Sequence, residues 1–355
     1  MGTLLPFVGM VVVSLSQASN IVVTKAALSR GINKYVLIVY SGVFSSLILL
    51  PCSFVFNRSA RLPPLTFSIL CRFFLLGLVQ CVINVCAYAG IEYSSPTLST
   101  AMLNLVPAFT FILAVIFRME KLEWRSRTSQ AKTLGTLVSI SGAFVVTFYK
   151  GPTVMKTESL GVPTHLLIFS PQLKWIIGAL LLATEAFMLS TMYILQTMVL
   201  KMFPAVFTVI LYVNFFNTIL SSFYSLILVE DPSAWKLRLD IGLIAVLYSA
   251  LFGTFLVFTF SAWCLSKAGP LFVSMFKPLT IIFAIIIEVL FLGDALCLGS
   301  LIGAIIIVTG FYAVIWGKAN EEEKSREESG LGSFKSSSEK VPLLQDRIED
   351  IGVSA

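Results

Sequence analysis

The sequence predicts an all-α membrane protein of ten transmembrane helices, arranged as two inverted repeats of five helices each. Hydrophobic residues make up 57% of the 355-residue chain and charged residues 12%, whereas soluble domains average about 45–50% and about 25%. The chain also repeats itself: Leu134 to Phe144 resembles Ile302 to Tyr312, and the segment from Ser95 aligns without a gap on the segment from Gly269. Since each copy holds an odd number of spans, the second copy enters the bilayer upside down.

Each predicted helix is a stretch of roughly membrane-spanning length. A bilayer core of about 30 Å requires about 20 apolar residues per helix. In the first repeat these stretches are 5–25, 36–56, 69–91, 97–117 and 131–149. In the second repeat they are 174–196, 204–229, 240–264, 270–292 and 296–316. The chain therefore divides into a first repeat (1–151), a connector (152–173), a second repeat (174–317) and a tail (318–355).

Prolines predict that the fourth and ninth spans are interrupted, and small residues predict that the fifth and tenth spans pack closely. Pro96 and Pro270 begin the fourth and ninth spans, and Pro107 and Pro278 interrupt them. A proline inside a span frees a backbone carbonyl that a neighbour or a solute can satisfy. In the ungapped alignment of the repeats, Pro278 corresponds to Asn104 rather than to Pro107. The small residues of the last span in each repeat favour close helix packing; they are Gly135, Ser139, Ala143, Gly299 and Gly303.

The charges of the loops predict that both termini are cytoplasmic. The loop after the fourth span carries five basic residues, whereas its counterpart after the ninth span carries none. Such a reversal between corresponding loops is expected of inverted copies under the positive-inside rule. The basic residues lie in loops, so the net charge of +6 does not indicate a nucleic-acid partner.

Motifs of soluble enzymes are absent from the sequence. It contains neither a G-x-x-x-x-G-K-[ST] loop nor an H-E-x-x-H, G-x-S-x-G or Rossmann pattern. With a single histidine and no C-x-x-C spacing among six cysteines, we expect no enzyme activity, no cofactor and no metal site. In the predicted disordered tail, Glu339 to Leu344 resembles an acidic dileucine signal, so Leu343 and Leu344 are candidate contacts for sorting adaptors.

Polar residues inside the predicted spans indicate a solute site. A charge at a helix centre costs about 2.5–3.5 kcal/mol on insertion scales, so charged residues inside spans normally face a cavity or one another. Glu185 in the sixth span and Lys277 in the ninth are two such residues. They could form a structural Lys–Glu pair, complement the ends of a zwitterionic or anionic solute, or, for Glu185, carry a coupled proton. Neutral polar residues of the first, third and fourth spans add a weaker signal, because they also act as interhelical contacts; these candidates are Gln17, Asn20, Gln80, Asn84, Tyr88 and Asn104.

Several motifs resemble those of a known family. The openings at Ser95-Pro96-Thr97 and Gly269-Pro270-Leu271, the Leu292-Gly293-Asp294 turn and the paired G-x6-G spans resemble the EamA repeat of the drug/metabolite transporter superfamily. The segments from Asn104 to Phe111 and from Phe117 to Lys121 are similar to the plant nodulin-21-like, WAT1-related branch, whose members are called UMAMIT amino-acid facilitators.

The resemblance implies bidirectional or proton-influenced movement of amino acids, auxin or related metabolites, in the plasma membrane or the vacuolar membrane. Family members commonly carry Asn before the proline of the ninth span, where this chain has Lys277. The sequence therefore predicts a secondary transporter that moves small organic solutes, with amino acids as the expected substrates, by alternating access. The alternatives are an exporter of auxin-like or other metabolites, and a membrane interaction or sensor protein that transports nothing.

Overall fold

The protein is an all-α membrane protein. A computed structural model describes residues 4–57, 63–94, 96–119, 127–149, 153–155, 171–236, 241–292, 296–299, 301–317 and 320. Six segments are long and apolar enough to cross a membrane on their own, and Ala101–Ile116 and Leu301–Gly317 are shorter apolar helices. Each of the ten predicted stretches contains helix over the residues that the structure describes. The dileucine segment, His165 and the rest of the tail beyond 320 lie outside these residues.

The helices of the first repeat are α1 (Leu4–Ser29), α2 (Lys34–Asn57), α3 (Phe67–Tyr93), α4 (Pro96–Leu103), α5 (Val106–Ile116) and α6 (Arg127–Phe148). The second repeat contains α7 (Pro171–Met202), α8 (Val206–Leu228), α9 (Ile241–Tyr248), α10 (Val257–Met275) and α11 (Lys277–Ile287), followed by α12 (Leu301–Gly317). Short π-helices, Ser249–Leu256 and Glu288–Leu292, follow α9 and α11, and a 3₁₀ turn spans Pro232–Trp235.

A short strand pair corrects one predicted boundary. Strand β1 (Thr153–Met155), at the start of the connector, is antiparallel to β2 (Leu296–Cys297). The tenth span therefore does not begin at residue 296, because those residues pair with the connector. The pairing places the connector and the loop after the ninth span at the same end of the bundle, as the predicted topology requires.

The fourth and ninth spans are both broken, and the breaks correct the ungapped alignment of the repeats. The fourth span is interrupted by a turn at Asn104 and Leu105, and the ninth by a turn at Phe276. The helix after each turn, α5 or α11, has proline as its second residue, Pro107 or Pro278. The structural counterpart of Pro278 is thus Pro107. The alignment missed this because the first half of the fourth span is longer than that of the ninth.

The eighth and ninth spans are joined by a single non-helical residue. Gly269 has φ 84° and ψ 172° inside α10, and Pro270 begins the ninth span immediately after it. A positive φ of this size is readily adopted only by glycine. The eighth span therefore continues to residue 268, beyond the predicted end at 264.

The two repeats pack on each other in a reciprocal way. The first span of the first repeat, α1, packs against the eighth and ninth spans, while α7, the first span of the second repeat, packs against the third and fourth. The second spans, α2 and α8, pack against each other. Such an exchange of partners indicates a two-fold relation between the repeats, and the odd number of spans in each copy makes that relation an inversion.

The fifth and tenth spans cross at glycines. A Cβ atom built on Gly135 of α6 would lie 2.6 Å from the backbone oxygen of Gly310 in α12, and one built on Gly142 would lie 2.8 Å from the amide nitrogen of Ile307. The predicted close packing is confirmed for Gly135. In α12 the close approach is made at Gly310.

Candidate functional site

Serine hydroxyls from the first span of each repeat contact the helix breaks of the other repeat. Ser14 Oγ, on α1, donates to the carbonyl of Phe276 at 3.4 Å, and Ser190 Oγ, on α7, donates to the carbonyl of Val106 at 3.1 Å. Both bonds are buried. The Phe276 carbonyl also accepts the backbone N–H of Thr280 at 3.1 Å, so the bond from Ser14 adds a contact between the repeats and does not replace a lost helical bond. The two repeats are therefore linked at the points where their helices are interrupted.

Lys277 begins α11 and is held by Gln17. Its Nζ donates to Gln17 Oε1 at 3.2 Å, and Gln17 lies one turn after Ser14 on the same side of α1. The ammonium group is thus placed at the break of the ninth span, where helix α11 begins. Two of the predicted site residues, Gln17 and Lys277, are in direct contact.

Glu185 lies in the middle of α7 and is buried, with 6% of its surface exposed. Its Oε2 atom has no hydrogen-bond partner among the described residues. Lys277, Tyr88 and Cys86 are close enough to interact electrostatically with the carboxyl group. Between the described side chains of Glu185 and Lys277 no direct ion pair is formed, so the structural Lys–Glu pair weighed from the sequence is not present in this conformation.

A chain of amide side chains connects the third and seventh spans. Gln80 Nε2 donates to Asn84 Oδ1 at 3.3 Å, and Asn84 Nδ2 donates to Asn217 Oδ1 at 3.2 Å. Ser221, one turn further along α8, also donates to Asn217 Oδ1, at 3.5 Å. The structure thus joins the predicted residues Gln80 and Asn84 to Asn217 and Ser221 of α8.

Tyr88 lies one turn beyond Asn84 on α3 and contacts a second tyrosine. Its ring centroid is 6.0 Å from that of Tyr35, which is itself 6.0 Å from that of Tyr224. Sequence reasoning missed Tyr35 and Tyr224. Both lie near the ends of their spans, where tyrosine is common simply because it suits the membrane interface.

Asn20, on the first span, contacts the π-helix of the eighth span. Its Oδ1 accepts a hydrogen bond from Ser249 Oγ at 2.7 Å, and its amide group lies so close to Gly253 that a Cβ atom there would displace it. Helices of the π type occur frequently at functional sites. The π-helix and its partner Ser249 were not foreseen, because neither has a signature in the sequence.

Asn104 stands apart from these networks. It is fully buried at the break of the fourth span, and neither its Oδ1 nor its Nδ2 has a hydrogen-bond partner among the described residues. A buried amide without partners is unfavourable by about 1–3 kcal/mol per group. The structure places Asn104 at the break, as the position of Pro107 indicated, but does not join it to the other candidates by hydrogen bonds.

Comparison with known proteins identifies relatives over almost the whole chain. The EamA-like transporter family matches residues 5–148 and 176–316. The WAT1-related protein At5g40240 of Arabidopsis thaliana is 44% identical over 89% of this chain and 88% of its own length. The WAT1-related protein At3g28050 of the same plant is 42% identical over 98% of this chain and 96% of its own length.

The fold also matches a solved crystal structure of a protein, with a TM-score of 0.66, over 89% of this chain and 98% of the other. The sequences of the two share only 13% identity, so this likeness supports the fold alone. Membership in a transporter family points to a transporter rather than an enzyme. The chain belongs to the EamA-like transporter family, within its WAT1-related group, and is a multi-pass membrane transporter of small solutes.

Proposed function

We propose that this protein is a secondary transporter of amino acids that works by alternating access. The observation that carries the proposal is the buried carboxyl group of Glu185, one oxygen of which has no hydrogen-bond partner among the residues that the structure describes. It lies near the ammonium group of Lys277, which is bound to Gln17. The two groups have opposite charges and do not neutralise each other by direct contact. Such an arrangement is complementary to a zwitterion.

The chemistry of the two groups assigns the ends of the solute. Glu185 would accept hydrogen bonds from an α-ammonium group, and Lys277 would donate to an α-carboxylate. An unpaired charge inside a span costs about 2.5–3.5 kcal/mol. A zwitterionic solute that pairs with both Glu185 and Lys277 would offset this cost, which favours its binding at this site. A proton on Glu185 would serve the same purpose in the absence of solute, which makes Glu185 the candidate for proton coupling.

The reciprocal contacts at the helix breaks support alternating access. Ser14 and Ser190 join the first span of each repeat to the broken span of the other. A motion of one repeat against the other would therefore shift both breaks together, and the solute site lies beside one of them. In transporters built from inverted repeats, this kind of rocking moves access from one side of the membrane to the other.

We further propose that both termini are cytoplasmic, that the protein resides in the plasma membrane or the vacuolar membrane, and that adaptors bind the tail at Leu343 and Leu344. The reversal of loop charges between the repeats supports the orientation.

Measuring uptake and efflux of radiolabelled amino acids in cells with and without the protein tests the substrate class. We expect flux of neutral amino acids that depends on the protein. The exposed carboxylate variant Glu230→Gln is the matched control, and it should transport normally. If amino acids show no flux and an auxin-like indole acid does, the zwitterion assignment is wrong and the exporter alternative is favoured. If neither class is moved, the sensor alternative is favoured.

A further inference from the structure

Three tyrosines and an ion pair lie together at one end of the bundle, which we call the outer end because it carries the turn at residues 30–33 between α1 and α2. Lys34 and Tyr35 are the first two residues of α2, Tyr88 and Glu92 lie in the last turns of α3, and Tyr224 lies near the end of α8. In the topology proposed above, this end faces away from the cytoplasm.

The tyrosines contact one another through ring edges. The rings of Tyr35 and Tyr88 are inclined at 61°, and those of Tyr35 and Tyr224 at 82°, with centroids 6.0 Å apart in both pairs. These edge-to-face distances lie within the range of favourable aromatic contacts. Tyr35 therefore bridges the third and seventh spans from a position on the second.

The Lys34 side chain covers this cluster. Its Nζ is 5.0 Å from the ring centroid of Tyr35 and 5.7 Å from that of Tyr88, distances at which a cation is attracted to an aromatic face. The same atom is 3.3 Å from Glu92 Oε2, and the two side chains are 30% and 63% exposed. Exposed ion pairs contribute little to stability, so this contact can open and close at little expense to the fold.

The cluster lies directly above the polar interior. Tyr88 follows Asn84 by four residues on α3, and Tyr224 follows Ser221 by three on α8, so each tyrosine is one turn beyond the amide chain that joins these helices. Glu185 is close enough to Tyr88 for electrostatic interaction. A solute that approaches Glu185 from the outer end between the second, third and seventh spans would have to pass these rings.

We propose that Tyr35, Tyr88 and Tyr224 form the outer gate of the solute pathway, and that the Lys34–Glu92 ion pair is its latch. The gate is closed in this structure, because the rings and the ion pair are in contact. Opening it requires α2 to separate from α3 and α8 at the outer end. The role of a gate rests on the proposed transport function, whereas the closure of the cluster can be measured without any solute.

Chemical labelling of Cys81 tests the gate. Cys81 is buried and lies seven residues before Tyr88, two turns further in on the same face of α3. It is also close to Ser221, which lies one turn before Tyr224 on α8, so it is beneath the gate. In a background with the other five cysteines replaced by serine, a charged, membrane-impermeant methanethiosulfonate is added to the outer side and its rate of reaction is measured. We expect slow labelling in this background and labelling about tenfold faster in Tyr88→Ala, because the loss of one ring raises the fraction of molecules with an open gate. A tenfold rise in that fraction corresponds to about 1.4 kcal/mol.

The latch is tested by variants of exposed residues, which do not depend on the folding of a buried site. Lys34→Ala and Glu92→Ala should each accelerate the labelling of Cys81, and the exchange Lys34→Glu with Glu92→Lys should restore the slow rate. The exposed neighbour Tyr93→Ala should leave the rate unchanged, and Cys81→Ser should abolish the labelling.

Equal labelling rates in the background protein, in Tyr88→Ala and in the latch variants would overturn the gate. The labelling does not depend on flux. If amino acids are not transported while the gate variants still accelerate labelling, the proposed substrate is wrong and the gate stands.

Discussion

Replacing Gly135 with alanine is expected to destabilise the protein at the crossing of the fifth and tenth spans. The added methyl group would lie 2.6 Å from the Gly310 carbonyl oxygen and 2.9 Å from the amide nitrogen of Val314. These are backbone atoms, so no side-chain rotation relieves the contact and the helices must move apart. Overpacking of this kind typically costs about 1–3 kcal/mol.

Whether Gly135→Ala lowers or raises the stability of the protein distinguishes the effect of close packing from that of helix propensity. Alanine is favoured over glycine inside a helix by up to about 1 kcal/mol, so a loosely packed site would gain stability from the substitution. The assay is the thermal unfolding midpoint of the detergent-solubilised protein, with Ser141→Ala, at an exposed position of the same helix, as the control. A Gly135→Ala protein that unfolds at the same or a higher temperature than the native protein would refute the close crossing.

Three further predictions concern topology, sorting and the backbone. A glycosylation sequon inserted near His165 should be modified in microsomes while native Asn57 is not; glycan on Asn57 would reverse the proposed orientation. Replacing Leu343 and Leu344 with alanine should redistribute a fluorescent fusion between membranes without changing its amount, and an unchanged distribution would show that the tail motif is accidental. Gly269→Ala, at φ 84° and ψ 172°, should lower the unfolding midpoint by the equivalent of about 1–3 kcal/mol, since this region of backbone conformation is essentially restricted to glycine; an unchanged midpoint would argue against the sharp joint between the eighth and ninth spans.

The architecture was predictable from the sequence because a bilayer imposes a simple length rule. Roughly twenty apolar residues make a span, and a copied block with an odd number of spans must be inverted. The helix breaks were only partly predictable. Pro107 and Pro278 marked the fourth and ninth spans, yet the turns precede them, at Asn104 and Phe276, because proline is well accepted at the start of a helix.

The contacts among the site residues were not predictable. A buried charge signals that a partner is required but does not name it. Lys277 is bound by the amide of Gln17, while the carboxyl of Glu185 forms no ion pair with the part of the chain that the structure describes. Which of several polar groups a long lysine side chain reaches depends on the crossing of α1 and α11, which hydrophobicity does not encode. Tyr35 and Tyr224 were missed because their roles depend on where the ends of three different helices meet.

The contribution of the opposite charges in the site is tested most directly by three variants, Glu185→Gln, Lys277→Met and the double replacement. Surface abundance and amino-acid flux are measured for each, with Glu230→Gln and Lys236→Met as exposed controls of the same chemistry. We expect normal abundance with lost or pH-insensitive flux in Glu185→Gln, lost flux in Lys277→Met, and no recovery in the double variant. Full flux in the double variant would contradict the account, because it would show that Glu185 and Lys277 only compensate each other's charge.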